Sequence, residues 1–173
     1  CDIQDLGYPG AVASNGRVEF QAAPEALARC NVNLRTATRV LVKVGSFPAV
    51  TFDDLFDGVK ALPWSELIHP RAAFPVRGKS VRSALHSVPA CQSVTKKAIT
   101  AALGGGGNGG WIDEDPREGV VEVEVAVLED MVTVSLDASG QALNRRGFRT
   151  GVLAQGAAPL KETLAAGMLA LAG

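Results

Sequence analysis

The chain has 173 residues, of which 47% are hydrophobic, 20% charged and 5% aromatic. At about 150 residues per domain this is one globular domain or two small ones, and the composition excludes a disordered tail or a fibre. The formal net charge is −1 and the sequence pI about 6.2, so no global charge excess points to nucleic acid or membrane.

The longest apolar stretch, Leu164 to Gly173, is far short of the roughly 20 residues a membrane-spanning helix needs. The chain opens on Cys1 without a charged and apolar leader, so a trimmed chain or an excised fragment is expected. Cys1, Cys30 and Cys91 are odd in number and form no CxxC or zinc spacing. Three free thiols in a reducing, cytoplasmic setting are expected.

In chain order, residues 1–44 read as a small α/β unit. Gly10 to Ser14 and Arg17 to Phe20 flank an Asn15-Gly16 turn, a hairpin signal. Pro24 opens a helix with Leu27, Cys30 and Leu34 at helical spacing, and Arg39 to Val44 reads as the returning strand. Residues 45–137 form a second unit. Thr51 and Asp54 make a capping box. Behind it Phe52, Leu55, Phe56, Val59 and Leu62 mark the clearest amphipathic helix of the chain. Trp64 to Ile68 reads as a short continuation past Pro63.

Ala73 to Lys79 reads as a strand with Phe74 and Val76 on one face and Arg77 and Lys79 on the other. Pro89 opens a helix to about Leu103 that buries Cys91, Val94, Ala98 and Ala102. A Gly-rich run, Gly104 to Gly110, reads as a flexible loop. Val120 to Leu128 and Met131 to Leu136 alternate as a hairpin with Glu122 and Glu124 on its wet face. In residues 138–173 a basic run, Asn144 to Arg149, precedes a final helix from Pro159 with an apolar stripe of Leu160, Leu164, Met168 and Leu171.

The neutral total hides segregated charge. Leu67 to Ile112 holds six bases and no acid, Asp113 to Asp137 nine acids and one base, and Ala138 to Lys161 four bases and no acid. On the Pro89 helix Gln92 stacks over Lys96 and Ser93 over Lys97. With Arg77 and Lys79 these residues can form one basic, hydrogen-bonding surface that neutralises phosphates, or ordinary solvated faces of a helix and a strand. Phe148, between Arg146 and Arg149, is either a base-stacking aromatic or an anchor in the core.

Other motifs fail on context. Arg77-Gly78-Lys79-Ser80 lacks the first glycine of a P-loop, although Gly-Lys-Ser can still bind phosphate through backbone N–H, Lys and hydroxyl. Gly104, Gly106 and Gly109 satisfy GxGxxG, but with a helix before and a strand after. His86 and Cys91 suggest a thiol enzyme, against a buried structural thiol. Glu122 and Glu124 read as solubilising before catalytic. His69 and His86 are too few for a transition-metal cluster. Trp64 and Trp111 read as packing residues.

Taken together, Thr51-Phe52-Asp53-Asp54-Leu55-Phe56-Asp57-Gly58, Phe74-Pro75-Val76-Arg77-Gly78-Lys79-Ser80, Ser87-Val88-Pro89-Ala90-Cys91-Gln92-Ser93-Val94-Thr95-Lys96-Lys97, Leu136-Asp137-Ala138-Ser139-Gly140 and Asn144-Arg145-Arg146-Gly147-Phe148-Arg149 resemble the N-terminal half of bacterial THUMP-domain RNA methyltransferases. The nearest branch methylates guanine N2 of large-subunit ribosomal RNA. The resemblance implies an α+β fold: a ferredoxin-like unit over 1–44, incomplete at its start, a THUMP domain with a mixed sheet over 45–137, and a basic linker and helix over 138–173 leading to a methyltransferase domain.

The resemblance further implies that Arg77, Gly78, Lys79, Ser80, Arg82, Ser83, Gln92, Lys96 and Lys97 face structured RNA, ribosomal RNA in this branch, and that Arg145, Arg146 and Arg149 lead it onward. The family's Asp-Pro-x-Cys-Gly-Ser-Gly and Asn-Pro-Pro-Tyr motifs do not occur in these residues. S-adenosylmethionine and catalysis are therefore expected only in a further domain.

Overall fold

The computed structural model describes residues 2–14, 16–104, 112–145 and 160–172. Two compact units emerge, one from the stretches 1–40 and 138–173 and one from Leu41–Asp137.

In the first unit, α1 (Asp2–Asp5) is followed by the antiparallel pair β1 (Val12–Ser14) and β2 (Arg17–Glu19), and then by α2 (Glu25–Asn33). Pro24 sits at the N-cap of α2 with φ −54°, the value its ring imposes. The core joins Ile3, Cys30, Leu34 and Leu143, with Tyr8, Phe20 and Val40 against it. Leu143 arrives because the segment after residue 137 returns beside 38–40. The Leu143 amide donates to the Thr38 carbonyl at 2.8 Å and the Val40 amide to Ser139 Oγ at 2.6 Å. Asp2 ties the other end: one carboxylate oxygen accepts from the amides of Arg35 and Thr36, both at 3.0 Å, and from Thr36 Oγ1 at 2.9 Å. The closing helix, α6 (Glu162–Ala172), has no buried residue and leaves Leu164, Met168 and Leu171 exposed.

The second unit carries a four-stranded mixed sheet of order β3-β6-β5-β4, formed by β3 (Leu41–Pro48), β4 (Val76–Val81), β5 (Val123–Leu128) and β6 (Met131–Asp137). β3 and β5 run antiparallel to β6, and β4 runs parallel to β5. A parallel pair needs a crossover, which α5 (Val88–Ala102) supplies. α3 (Phe52–Lys60) and α4 (Trp64–Leu67) link β3 to β4.

Thr51 and Asp54 close the expected capping box at the start of α3. Leu55 and Val59 are fully buried, and Trp64 Nε1 donates to the Val59 carbonyl at 2.6 Å. α3 and α5 lie on one sheet face. A Cβ on Gly58 of α3 would strike the Phe47 ring, and one on Gly78 of β4 would lie 2.9 Å from Gln92 Cγ of α5. Val123, Val125, Val127, Val132 and Val134 fill the space beneath them.

Two strands differ from the sequence reading. The run from Arg39 to Val44 is not the returning strand of the first unit. It becomes β3, reaches Pro48 and pairs with β6, Leu41 facing Asp137 and Pro48 facing Met131. An apolar run specifies a strand but not its partner, and the seven-residue β6 offers the longer ladder. β4 begins at Val76 rather than Ala73, because Pro75 has no N–H to give. Ala73 makes only an isolated bridge to Val120.

Candidate nucleic-acid interface

Strand alternation divides Arg77-Gly78-Lys79-Ser80 between two environments. Arg77 and Lys79 point to the open sheet face, whereas Gly78 and Ser80 point beneath α5. On the open face Arg77 Nε lies 2.5 Å from Glu122 Oε1, and Lys79 Nζ lies 2.8 Å from Glu124 Oε1. The acidic block therefore neutralises the strand's cations once β5 is laid beside β4. Glu122 and Glu124, read as solubilising from the sequence, are the partners of the two candidate phosphate ligands.

Gly78, Ser80 and Gln92 do not join Arg77 and Lys79 on one surface. Gln92 turns towards the sheet, donates from Nε2 to the Val76 carbonyl at 3.2 Å and covers Gly78. Gly78 is small so that α5 can approach. Ser80 Oγ is buried without a hydrogen-bond partner. The β4 backbone is engaged in its ladder with β5, so this Gly-Lys-Ser is a strand and not a phosphate cradle.

On α5, Lys96 and Lys97 diverge although adjacent. Lys96 Nζ lies 2.6 Å from Glu114 Oε1 and 4.7 Å from the centroid of the Phe74 ring. The other oxygen of Glu114 accepts from the Phe74 amide at 3.2 Å. Lys97 is exposed on a ridge with Pro89 and Ser93, four residues apart along one helix face. Among the described residues it has no carboxylate partner. At the end of β4, Arg82 adopts φ +50°. It lies 3.7 Å from Glu129, and both side chains are largely exposed, so the pair is weak and screened.

Ser83 is half-buried, and its hydroxyl is engaged within the chain. Its Oγ donates to the Val81 carbonyl at 2.9 Å and accepts from the Asp130 amide at 3.1 Å. Asp130 Oδ1 in turn accepts from the Ala84 amide at 2.7 Å, and its carbonyl from the Ala49 amide at 2.8 Å. Asp130 thus clasps the loop after β4 to the β5–β6 turn. Its own φ is +62°, and that of Glu129 is +51°, the left-handed pair of a tight hairpin turn.

The sequence reading missed the roles of Glu114 and Asp130. Both lie in the acidic block, and only the fold brings them to their partners. Arg145 is exposed in the first unit. Arg146, Phe148, Arg149 and Trp111 lie outside the described residues. Cys91 is 2% exposed, its Sγ donates to the Leu85 carbonyl at 3.6 Å, and burial pushes its thiol up. His86, on the surface, sets its ring against the Ala84 carbonyl at 3.0 Å. This arrangement does not activate a nucleophile.

Comparison with known families adds a match to the RlmL ferredoxin-like domain over residues 2–41 and to the THUMP domain over residues 49–137. The chain belongs to the THUMP-domain family. Among curated relatives, "Putative RNA methyltransferase YpsC" of Bacillus subtilis is 45% identical over 98% of this chain and 43% of its own length. "Ribosomal RNA large subunit methyltransferase K/L" of Methylococcus capsulatus is 32% identical over 99% of this chain and 23% of its own. A solved structure from Listeria monocytogenes, named as a predicted N6-adenine-specific DNA methylase, is 44% identical with a TM-score of 0.85, over 98% of this chain and 43% of that one.

The chain thus spans less than half the length of these THUMP relatives. Their names disagree on the nucleic acid. No helix among the described residues of this THUMP protein is long and apolar enough to cross a membrane.

Proposed function

We propose that this chain is the RNA-recognition portion of a cytoplasmic, S-adenosylmethionine-dependent RNA methyltransferase. It grips a structured RNA, ribosomal by the names of the K/L relatives, and presents it to a catalytic domain. The THUMP match over residues 49–137 carries the reading. The acid-free stretch from Leu67 to Ile112, which includes all of α5, agrees with it. Phosphate contacts from Arg and Lys supply affinity and register but not sequence choice. Base choice, guanine N2 included, then falls to RNA shape and to the catalytic domain.

Residues 138–173 act as the basic connection to that domain, with Arg145 and the neighbouring arginines along the RNA path and α6 as the lead-in helix. S-adenosylmethionine is assigned in this reading to the catalytic domain and not to the residues of this chain. Gly78 and Ser80 of β4 lie beneath α5, and the chain carries no Asn-Pro-Pro-Tyr motif.

The test is a titration of the chain into a labelled ribosomal RNA hairpin, an unrelated duplex RNA and a matched DNA duplex, followed by fluorescence anisotropy at several salt concentrations. Salt-sensitive binding that favours structured RNA is expected. Equal or tighter binding to DNA, or none at low salt, overturns the reading.

A further inference from the structure

The cations of the second unit fall into two classes. Arg77, Lys79 and Lys96 are each held within 2.5–2.8 Å of a carboxylate, and Glu122, Glu124 and Glu114 are all largely covered. A phosphate approaching these cations meets a fixed negative charge beside each one. Arg82 and Lys97 differ. Arg82 is 81% exposed and only loosely opposed by Glu129 at 3.7 Å, and Lys97 is exposed on α5 without a partner among the described residues. In sequence between them lie His86 and Ser93, both exposed, and no acid occurs anywhere from Leu67 to Ile112.

The Arg82 end is fixed in place. Three non-glycine residues with positive φ, Arg82, Glu129 and Asp130, meet there, and the Ser83–Asp130 clasp holds them. The Glu129–Asp130 pair is an ordinary hairpin turn, whereas the left-handed backbone at Arg82 persists because its surroundings over-determine it.

We infer that the RNA backbone runs along the solvent ridge from Arg82 to Lys97, over the α5 side of the second unit, and not across the open sheet face that carries Arg77 and Lys79. The inference rests on the RNA-binding reading above and assigns its face. Along α5 alone the track from Val88 to Lys97 is about 14 Å at about 1.5 Å per residue. Ser83 and Asp130 act as positioning residues for the Arg82 end.

The experiment measures the log–log salt slope of RNA-hairpin binding for the full chain and two double variants. Arg82→Asn with Lys97→Gln removes both ridge charges, and Asn tolerates the left-handed backbone at position 82. This variant is expected to weaken binding several-fold and to flatten the slope by about 1 to 2. Glu122→Gln with Glu124→Gln uncovers Arg77 and Lys79 and is expected to leave the slope unchanged. A steeper slope in that second variant, or an unchanged slope in the first with its melting temperature intact, overturns the inference. Absence of salt-dependent RNA binding by the parent chain defeats the underlying reading, and the inference with it, and is seen before any variant is made.

Discussion

Lys79 of β4 reaches Glu124 of β5 at 2.8 Å although its directly opposed residue in the parallel register is Ala126. Arg77 leans by the same step, to Glu122 in place of its register partner Glu124. The two pairs therefore run side by side along the parallel edge of the sheet, where β4 has a neighbour on one side only. Replacing Lys79 by Met should lower stability by no more than about 1 kcal/mol, since both ends keep contact with solvent. Urea unfolding at low salt and near 1 M salt checks this: the loss should shrink as salt rises. An equal loss at both salts would mean that packing, and not charge, holds the pair.

Gly78→Ala tests how closely α5 lies on β4. The new methyl would stand 2.9 Å from Gln92 Cγ and 3.1 Å from Val88 Cγ1. Overpacking of this kind costs roughly 1–3 kcal/mol. Gln92→Ala removes one obstacle, so the double variant should recover part of the loss in a denaturation cycle. Full additivity of the two single losses would place the strain elsewhere.

Much of this fold is legible wherever the signal is local. The Thr51–Asp54 box, the α3 stripe and the β5–β6 hairpin all follow from residues within a turn or two of one another. Partners set by long-range pairing are not. Nothing in the segment around Val40 says that it will pair with β6, and nothing near Asp2 says that its carboxylate will hold the amides of Arg35 and Thr36. The candidate interface divides between the two faces of β4, which the sequence also does not show. Its basic character is plain in the sequence, but its neutralisation by Glu122, Glu124 and Glu114 exists only once β5 and the preceding loop are laid against β4 and α5.

Cys30 and Cys91 are both buried free thiols, and burial pushes each of them up. A thiolate is the reactive form, so neither should react with a maleimide or an aromatic disulfide while the protein is folded. Mass-spectrometric mapping after brief labelling should find both unmodified in buffer and both modified in denaturant. Rapid native labelling at Cys91 would restore the thiol-enzyme reading that its position argues against.

Asp2 links stability to pH. Burial alone would raise its carboxyl, but hydrogen bonds from the Thr36 amide and hydroxyl and from the Arg35 amide, with the Arg35 charge, overcome this and hold it below the ordinary value. A carboxylate lowered in the folded state contributes stability that is fully present above its unfolded pKa, about 3.9. That stability drains as pH falls through the lower folded value. Unfolding midpoints measured from pH 6 down to about pH 2 should therefore fall on the acid side, and Asp2→Asn should flatten that limb while lowering stability at neutral pH. The amide still offers one oxygen to the Arg35 and Thr36 donors but no longer the charge. If Asp2→Asn changes the neutral-pH midpoint and leaves the acid limb as steep as before, the acid sensitivity belongs to other carboxylates and Asp2 acts only as a hydrogen-bond acceptor.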